Sequence, residues 1–400
     1  MLAFATLILA ATTAAGQTAA QDYPQWRGKS RDGSASAFIA PQTWPDSLTR
    51  RWRVDVGEGY ATPLVIGDTV YVFARRDGNE VLLAIDAATG SERWHSSYPL
   101  PYTPSGPTVA HGSGPKATPL FHEGKLFTLG ISGVLSAIDA KTGKRLWQTA
   151  APAEVPFYSA ASSPVGATGI VIVHPGNYEP LTAFDTSTGA IKWRAGAGGV
   201  FMSPLIVTLG GVVQVVSVTQ QDVIGVSPDN GAVLWKHTWA GGGMGGTMPI
   251  VYGDTILVGA GNGLMAFRPS QKDGTWVTET LWQTSDVTFY LSNPVVVGDI
   301  LFGLSQRDRG QYFAIDAKTG KVLWLGPPRQ ATNTAVVKAD GLLFLLNDNA
   351  ELIVARASQV ALEPLKRYTV AESATWAQPT LSGKRIFVKD VSSLTLWTVD

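Results

Sequence analysis

Apolar residues in this chain come in short runs that end at turn-forming residues. Nowhere do they recur at the three- and four-residue spacing of a helix face, so the pattern predicts strands throughout. Two signals repeat in step. The first is a small or polar residue, usually proline, followed by an apolar run, a Gly-Asp turn and a second apolar run, as in Pro63-Leu-Val-Ile-Gly67-Asp68-Thr-Val-Tyr-Val. Its copies start at Pro63, Pro119, Pro164, Pro204, Pro249, Pro294, Ala335 and Pro379, between 40 and 56 residues apart. The second follows each of the first: Ala84–Trp94, Ala137–Trp147, Ala183–Trp193 and Ala314–Trp324 share a leading alanine, glycine at the seventh place and tryptophan at the eleventh, and Gly225–Trp235 is a worn copy. In Ala314–Trp324 the Asp carboxylate is expected to fold back on nearby N–H groups while Gly320 supplies the positive φ that closes a hairpin.

Strand units repeated at this period, with no helices, predict an all-β, eight-bladed β-propeller of four-stranded antiparallel blades. After Tyr368 only three strands remain, at 379–381, 385–388 and 394–399. The missing outer strand is available at Thr49–Val54, so the N-terminal strand is expected to close the last blade. Units five and seven are irregular: Ala266 to Trp282 carries an insertion around Lys272-Asp273-Gly274, and Ala355 to Tyr368 lacks the Asp and Gly. The expected organisation is a signal peptide over 1–20, a lead-in over 21–48 that packs on the propeller, and the propeller itself over 49–400.

Composition narrows the chemistry. Forty-three glycines and 24 prolines suit a chain rich in tight turns, and 31 basic against 31 acidic residues argue against a nucleic-acid partner. With no cysteine, disulfides, thiolate catalysis, Cys-based zinc sites and a lipid anchor on an N-terminal cysteine are all excluded. Apolar Leu2–Ala11 followed by Thr18-Ala19-Ala20 predicts export to the periplasm or beyond, although no Lys or Arg precedes Arg27. The expected mature chain is a monomer without a membrane-integral segment.

The aromatic residues that end the outer strands are Trp52, Trp94, Trp147, Trp193, Trp235, Trp282, Trp324 and Tyr368. Each is expected to lie against the next blade's turn, forming a structural girdle. A buried Trp removes roughly 150–250 Å² from water, an upper bound of about 4–6 kcal/mol each. Asp86, Asp139, Asp185 and Asp316 read as turn-formers rather than catalytic carboxylates.

The Ala-x-Asp-x-x-Thr-Gly-x-x-x-Trp units resemble the tryptophan-docking repeats of quinoprotein alcohol dehydrogenase-like propellers, the pyrroloquinoline quinone (PQQ) repeat family. The resemblance spans about 48–400, and the lead-in Trp26-Arg27-Gly28…Arg31-Asp32-Gly33 is similar to that of exported members. The family includes PQQ-dependent dehydrogenases and the propeller lipoprotein of the outer-membrane barrel assembly machinery, which binds protein and no quinone. The shared repeat implies the architecture without choosing between them.

In this strand order the innermost strands start on one face, the top, and the Asp-x-x-Thr-Gly turns lie on the other. The residues before the strand prolines are expected to ring the channel: Thr62, Thr118, Ser163, Ser203, Met248, Asn293, Thr334 and Gln378. Outside them come Tyr60, Lys116, Tyr158, Phe201, Tyr290 and Trp376, an aromatic funnel with one lysine suited to stacking a flat ligand, a sugar or a partner's side chain. Arg307 heads a second tier on the returning loops with Arg75, Arg76, His174, Asn177, Gln221, Asp308, Arg309 and Asp348. A PQQ dehydrogenase needs a divalent cation with oxygen ligands that include carboxylate, plus a carboxylate base and an arginine. No set of positions matches that pattern convincingly, and no metal site is expected. The reading from sequence is an exported, non-catalytic scaffold that binds a protein or cell-envelope ligand through its top face. The alternative is a quinoprotein dehydrogenase holding PQQ with a divalent cation and oxidising an alcohol or sugar.

Overall fold

The computed structural model describes residues 22–104, 106–152, 159–176, 179–198, 202–239 and 247–400. These form eight four-stranded antiparallel sheets. Blades 1 to 7 span residues 64–99, 120–148, 165–195, 205–238, 250–284, 295–325 and 334–369, each running from its innermost to its outermost strand. Blade 8 contains Thr380–Ser382, Arg385–Lys389 and Ser393–Thr398, and its outer strand is Thr49–Asp55. That strand pairs antiparallel with the last one, from Thr49 opposite Thr398 to Asp55 opposite Ser393. The ring is therefore closed by the N-terminal strand, as expected. On the inside Thr380 Oγ1 donates to Pro63 O at 2.5 Å, joining blade 8 to blade 1.

Each repeated hairpin is built as its residues dictate. Asp86 Oδ1 accepts from the N–H groups of Ala88 and Thr89 and from the Thr89 hydroxyl, while Gly90, at φ 76°, donates to Asp86 O. Arg93 beside it, with these bonds, holds the Asp86 carboxyl well below the usual carboxylate range. Each hairpin also carries a bulge that the motif does not announce. The pairing slips by one residue just after Ala84, which faces Trp94, and the same slip follows Ala137, Ala183, Gly225, Ala266, Ala314 and Val354. The extra residue increases the local twist of the hairpin.

The indoles sit on the next blade's turn glycine. A Cβ on Gly143 would lie 2.5 Å from the Trp94 ring, on Gly189 2.7 Å from Trp147, and on Gly320 2.5 Å from Trp282. Glycine at that place thus serves both the positive φ and the close approach. Several indole N–H groups also donate across the seam: Trp52 to Ala87 O, Trp147 to Thr186 O, Trp193 to Pro228 O, Trp282 to Ala317 O and Trp324 to Ser358 O, at 2.8 to 3.2 Å. Two of the girdle positions differ from expectation. Trp235 donates within its own blade, to Gln214 Oε1 at 2.6 Å, because blade 5 replaces the tight turn by a long hairpin, Gly263–Lys272 and Thr275–Thr284. In blade 7 it is Lys366, opposite Val354, that holds the register place of the tryptophans. Tyr368 lies two residues further on and donates its hydroxyl to Pro45 O at 2.7 Å.

The lead-in does more than pack on the surface: it fills the centre of the ring. Tyr23 exchanges hydrogen bonds with Val65 of blade 1, Ser34 bridges to Lys338 of blade 7, and Ile39 N donates to Gly383 O of blade 8. From this strap two buried guanidiniums reach the start of inner strands nearly opposite one another. Arg27 donates to Asn293 O and Pro294 O at 3.2 and 2.7 Å, and Arg31 to Ser163 O and Pro164 O at 3.0 and 2.6 Å. Burial lowers their pKa values to about 10 and about 9, so both remain charged at neutral pH. Asp32 pairs with Lys338 at 2.8 Å. Further along, Phe38 and Trp44 pack on Phe344, ring centroids 5.0 and 5.9 Å away.

Gly143→Ala is expected to destabilise the fold by about 2–4 kcal/mol, the sum of a left-handed alanine and a displaced indole. Gly124→Ala has a comparable φ of 72° but nothing within 4 Å of the new Cβ. It should lose only about 1–2 kcal/mol. Guanidinium denaturation of the pair separates docking from backbone strain.

Candidate functional site at the channel mouth

The residues before the strand prolines are bound to one another. Thr62 N donates to Thr118 Oγ1, Thr118 N to Ser163 Oγ, and Ser163 N to Ser203 Oγ, at 2.9 to 3.0 Å. Met248 N donates to Asn293 Oδ1 at 2.8 Å. Thr334 N donates to Ser292 Oγ at 3.0 Å, so on this side the acceptor comes from one residue earlier. Gln378 is held by the lead-in, accepting from the Tyr23 hydroxyl and donating to Val336 O. The small hydroxyls thus link successive blades around the axis.

Above this ring the structure gathers part of the predicted funnel and separates the rest. Tyr60 and Trp376 come together, centroids 6.3 Å apart, and His111 joins them edge-on at 4.6 Å from Trp376 and 6.3 Å from Tyr60. His111 had no place in the predicted funnel, since its loop position gave no sign of which way it folds. Tyr290 stands exposed on the approach to blade 6. Arg307 lies on the exposed turn Arg307–Arg309 of the same blade, with Asp308 and Arg309 beside it. Neither contacts the Tyr60–His111–Trp376 group. Tyr158, Phe201 and Asn177 lie outside the described residues, as does 1–20.

Three connections build the cluster. Tyr60 precedes blade 1, Trp376 precedes blade 8, and His111 and Lys116 belong to the long link from blade 1 to blade 2. Backbone contact pins the link down: Tyr60 N donates to Pro115 O at 2.9 Å, and a Cβ on Gly114 would lie 2.4 Å from the Glu58 carbonyl. Ser113 Oγ donates to Glu58 Oε2 at 3.2 Å. Trp376 is held by its neighbour Thr375, which is fully buried and donates to Asn347 O while accepting from Ala350 N. Lys116 is partly buried beside His111, and no carboxylate or carbonyl among the described residues faces its ammonium. Burial alone lowers its pKa to about 8. Burial, then the Lys116 charge, lowers that of His111, whereas burial and the nearby Glu58 raise that of Tyr60.

The remaining second-tier positions mostly serve the fold. Arg75 donates to Leu100 O, Arg76 to Asp55 O, and Asp348 accepts from Thr332 and from Asn333 N, while Gln221 is exposed. His174 joins blades 3 and 4, with Nδ1 3.1 Å from Glu179 O and Nε2 2.7 Å from Ser217 Oγ. Among the described residues no His, Cys, Asp and Glu group has the makings of a metal site, and no helix is long and apolar enough to cross a membrane.

A family model described as PQQ_2, outer membrane protein assembly factor BamB, matches residues 78–326, more than half of the chain. The chain belongs to this family. The outer membrane protein assembly factor BamB of Yersinia pestis is 26% identical over 300 residues, covering 70% of this chain and 67% of its own length. The dehydrogenase subunit of the quinone alcohol dehydrogenase of Acetobacter aceti is 32% identical over 159 residues, but these cover 36% of this chain and only 20% of that one. Among solved structures, BamB from Moraxella catarrhalis superposes with a TM-score of 0.65 at 17% identity, covering 88% of this chain and 99% of its own, a likeness of fold. Relatives of both classes match parts of this chain, and solved members of both share its fold.

His174 generates a prediction. Burial depresses its pKa to about 4 from the ordinary 6.5, so the unfolded chain binds the extra proton first as pH falls. Stability is expected to drop by about 3 kcal/mol between pH 6.5 and 4. His174→Asn should flatten that slope in urea denaturation across pH.

Proposed function

We propose that this chain is an exported, non-catalytic propeller that holds a protein of the cell envelope on its top face, in the service of outer-membrane protein assembly. The single observation that carries this reading is the pair of guanidiniums, Arg27 and Arg31, set between the inner strands of blades 3 and 6. A quinone site of the family's kind requires a divalent cation with carboxylate among its ligands. The donors present do not fit it. Side chains around the axis are hydroxyls, amides and a thioether. The hydroxyl oxygens of Thr118, Ser163 and Ser203 already accept from neighbouring blades. Arg31 reaches the carbonyl of Ser163 itself, and its charge repels an added cation in a medium that screens poorly. The assembly-factor relatives, matched over most of this chain, support the class of partner. The long 100–119 link and its neighbours on a rigid ring supply the surface.

Two measurements test this. Excess PQQ with calcium is expected to leave the melting temperature unchanged and to support no dye reduction with ethanol or glucose. A rise of several degrees would restore the dehydrogenase reading. In the host, deleting the gene is expected to lower the amount of folded outer-membrane barrels, scored by their heat-modifiable migration. Replacing 106–116 by a short Gly-Ser link should reproduce that loss at normal protein abundance, and unaltered barrels in both strains would refute the assembly role.

A further inference from the structure

The Proposed function leaves open what the top face grips. Four features of the mouth between blades 8, 1 and 2 bear on it. Tyr60, His111 and Trp376 meet edge to face and remain partly exposed, so their faces offer flat apolar surface at a fixed spacing. Thr375 and the Gly59–Gly114 backbone contact hold these rings in place before any ligand arrives. Beside them Lys116 keeps an ammonium partly withdrawn from water, with no anion of the described residues against it. Desolvation without a partner is unfavourable, and a carboxylate delivered to that point relieves it. Finally, an open cleft of about 540 Å³ between blades 8 and 1 is lined by Asp55, Gly57, Glu58, Arg76 and Ser113, and shares the Glu58–Ser113 contact that holds the long link. Its walls carry both signs of charge and bare glycine backbone. Such a cleft accommodates an extended chain better than it does one small anion.

From this we infer that the mouth is a receptor for a peptide segment of the partner that presents a carboxylate next to an aromatic side chain. The aromatic group packs among Tyr60, His111 and Trp376, the carboxylate meets Lys116 Nζ, and the flanking backbone follows the cleft. The inference rests on the protein-binding reading above. It names the recognised chemistry, an acidic–aromatic peptide.

The test uses purified full chain and fluorescent peptides blocked at both ends, acetyl-Ser-Gly-Phe-Glu-Gly-Ser-amide and its Phe-Gln counterpart, which differ only in the carboxylate. The Phe-Glu peptide is expected to bind about tenfold or more tightly than the Phe-Gln peptide, the weight of a charge-assisted hydrogen bond. Lys116→Met should erase the difference with an unchanged melting temperature, Lys116→Arg should keep it, and Trp376→Ala should weaken both peptides alike. In the wild type, affinity for the Phe-Glu peptide should fall from about pH 7 to about pH 9.5 as Lys116 loses its proton, and in Lys116→Arg it should not. His111, Tyr60 and Glu58 are the other titrating groups facing this point, and the arginine variant retains all three. Equal affinity for the two peptides, no binding of either, or a preference that survives in Lys116→Met overturns the proposal. So does equal competition by free 3-phenylpropionate, which would make the occupant a small carboxylate. Each of these failures leaves the assembly role to be judged separately, by the level of folded barrels.

Discussion

The seam between blades is the interaction on which the structure depends. Each sheet has two faces, and among the described residues no helix covers them, so it is stable only against its neighbour. The chain meets this need at two radii. At the rim, indoles lie on the next blade's turn glycine, as Trp94 does on Gly143, and several donate to a carbonyl in the same turn. At the axis, a backbone N–H is handed to a hydroxyl on the next blade, as from Thr62 to Thr118 to Ser163 to Ser203. Between the two radii lie the apolar clusters, which draw on adjacent sheets, such as Phe73 and Leu82 with Leu126 and Ile138.

Closing a ring of eight sheets leaves a central space, and here the N-terminal lead-in occupies it. The same segment that supplies the outer strand of blade 8 first passes through the middle and ties blades 1, 3, 6, 7 and 8 together. Two guanidiniums suit this task because each carries several donors in a plane, and strand carbonyls at the start of inner strands face the axis. The arrangement spends the axis on stability and leaves the loops above it as the more open surface.

Those loops are unequal, and the inequality sets the candidate site apart. The link from blade 1 to blade 2 is long enough to fold back over Glu58–Tyr60, and in doing so it brings His111 and Lys116 beside an aromatic pair from two other blades. An irregular loop on a rigid ring is a common way to fix a few side chains in space without disturbing the repeat.

The blade count and the closure by a strand starting at Thr49 were legible in the chain alone, because turn chemistry and strand alternation are local and the proline-led signal recurs eight times. The docking glycines were half legible: the motif announced a positive φ, but the contact with Trp94 or Trp147 belongs to the neighbouring blade. Where the motif had eroded, reading failed, and Tyr368 was counted in a register place that Lys366 fills. The destination of Arg27 and Arg31 was not written locally at all. Their partners, Pro164 and Pro294, lie more than a hundred residues away, and main-chain carbonyls leave no mark in sequence. The same holds for the mouth: Tyr60, Lys116 and Trp376 could be placed near the axis by counting along strands, but His111 joined them only because an irregular loop folded back. Sequence determined what repeats, since local physics repeats with it. Tertiary structure decided what fills the centre and which loop residues meet, since those depend on contacts between segments that share no local rule.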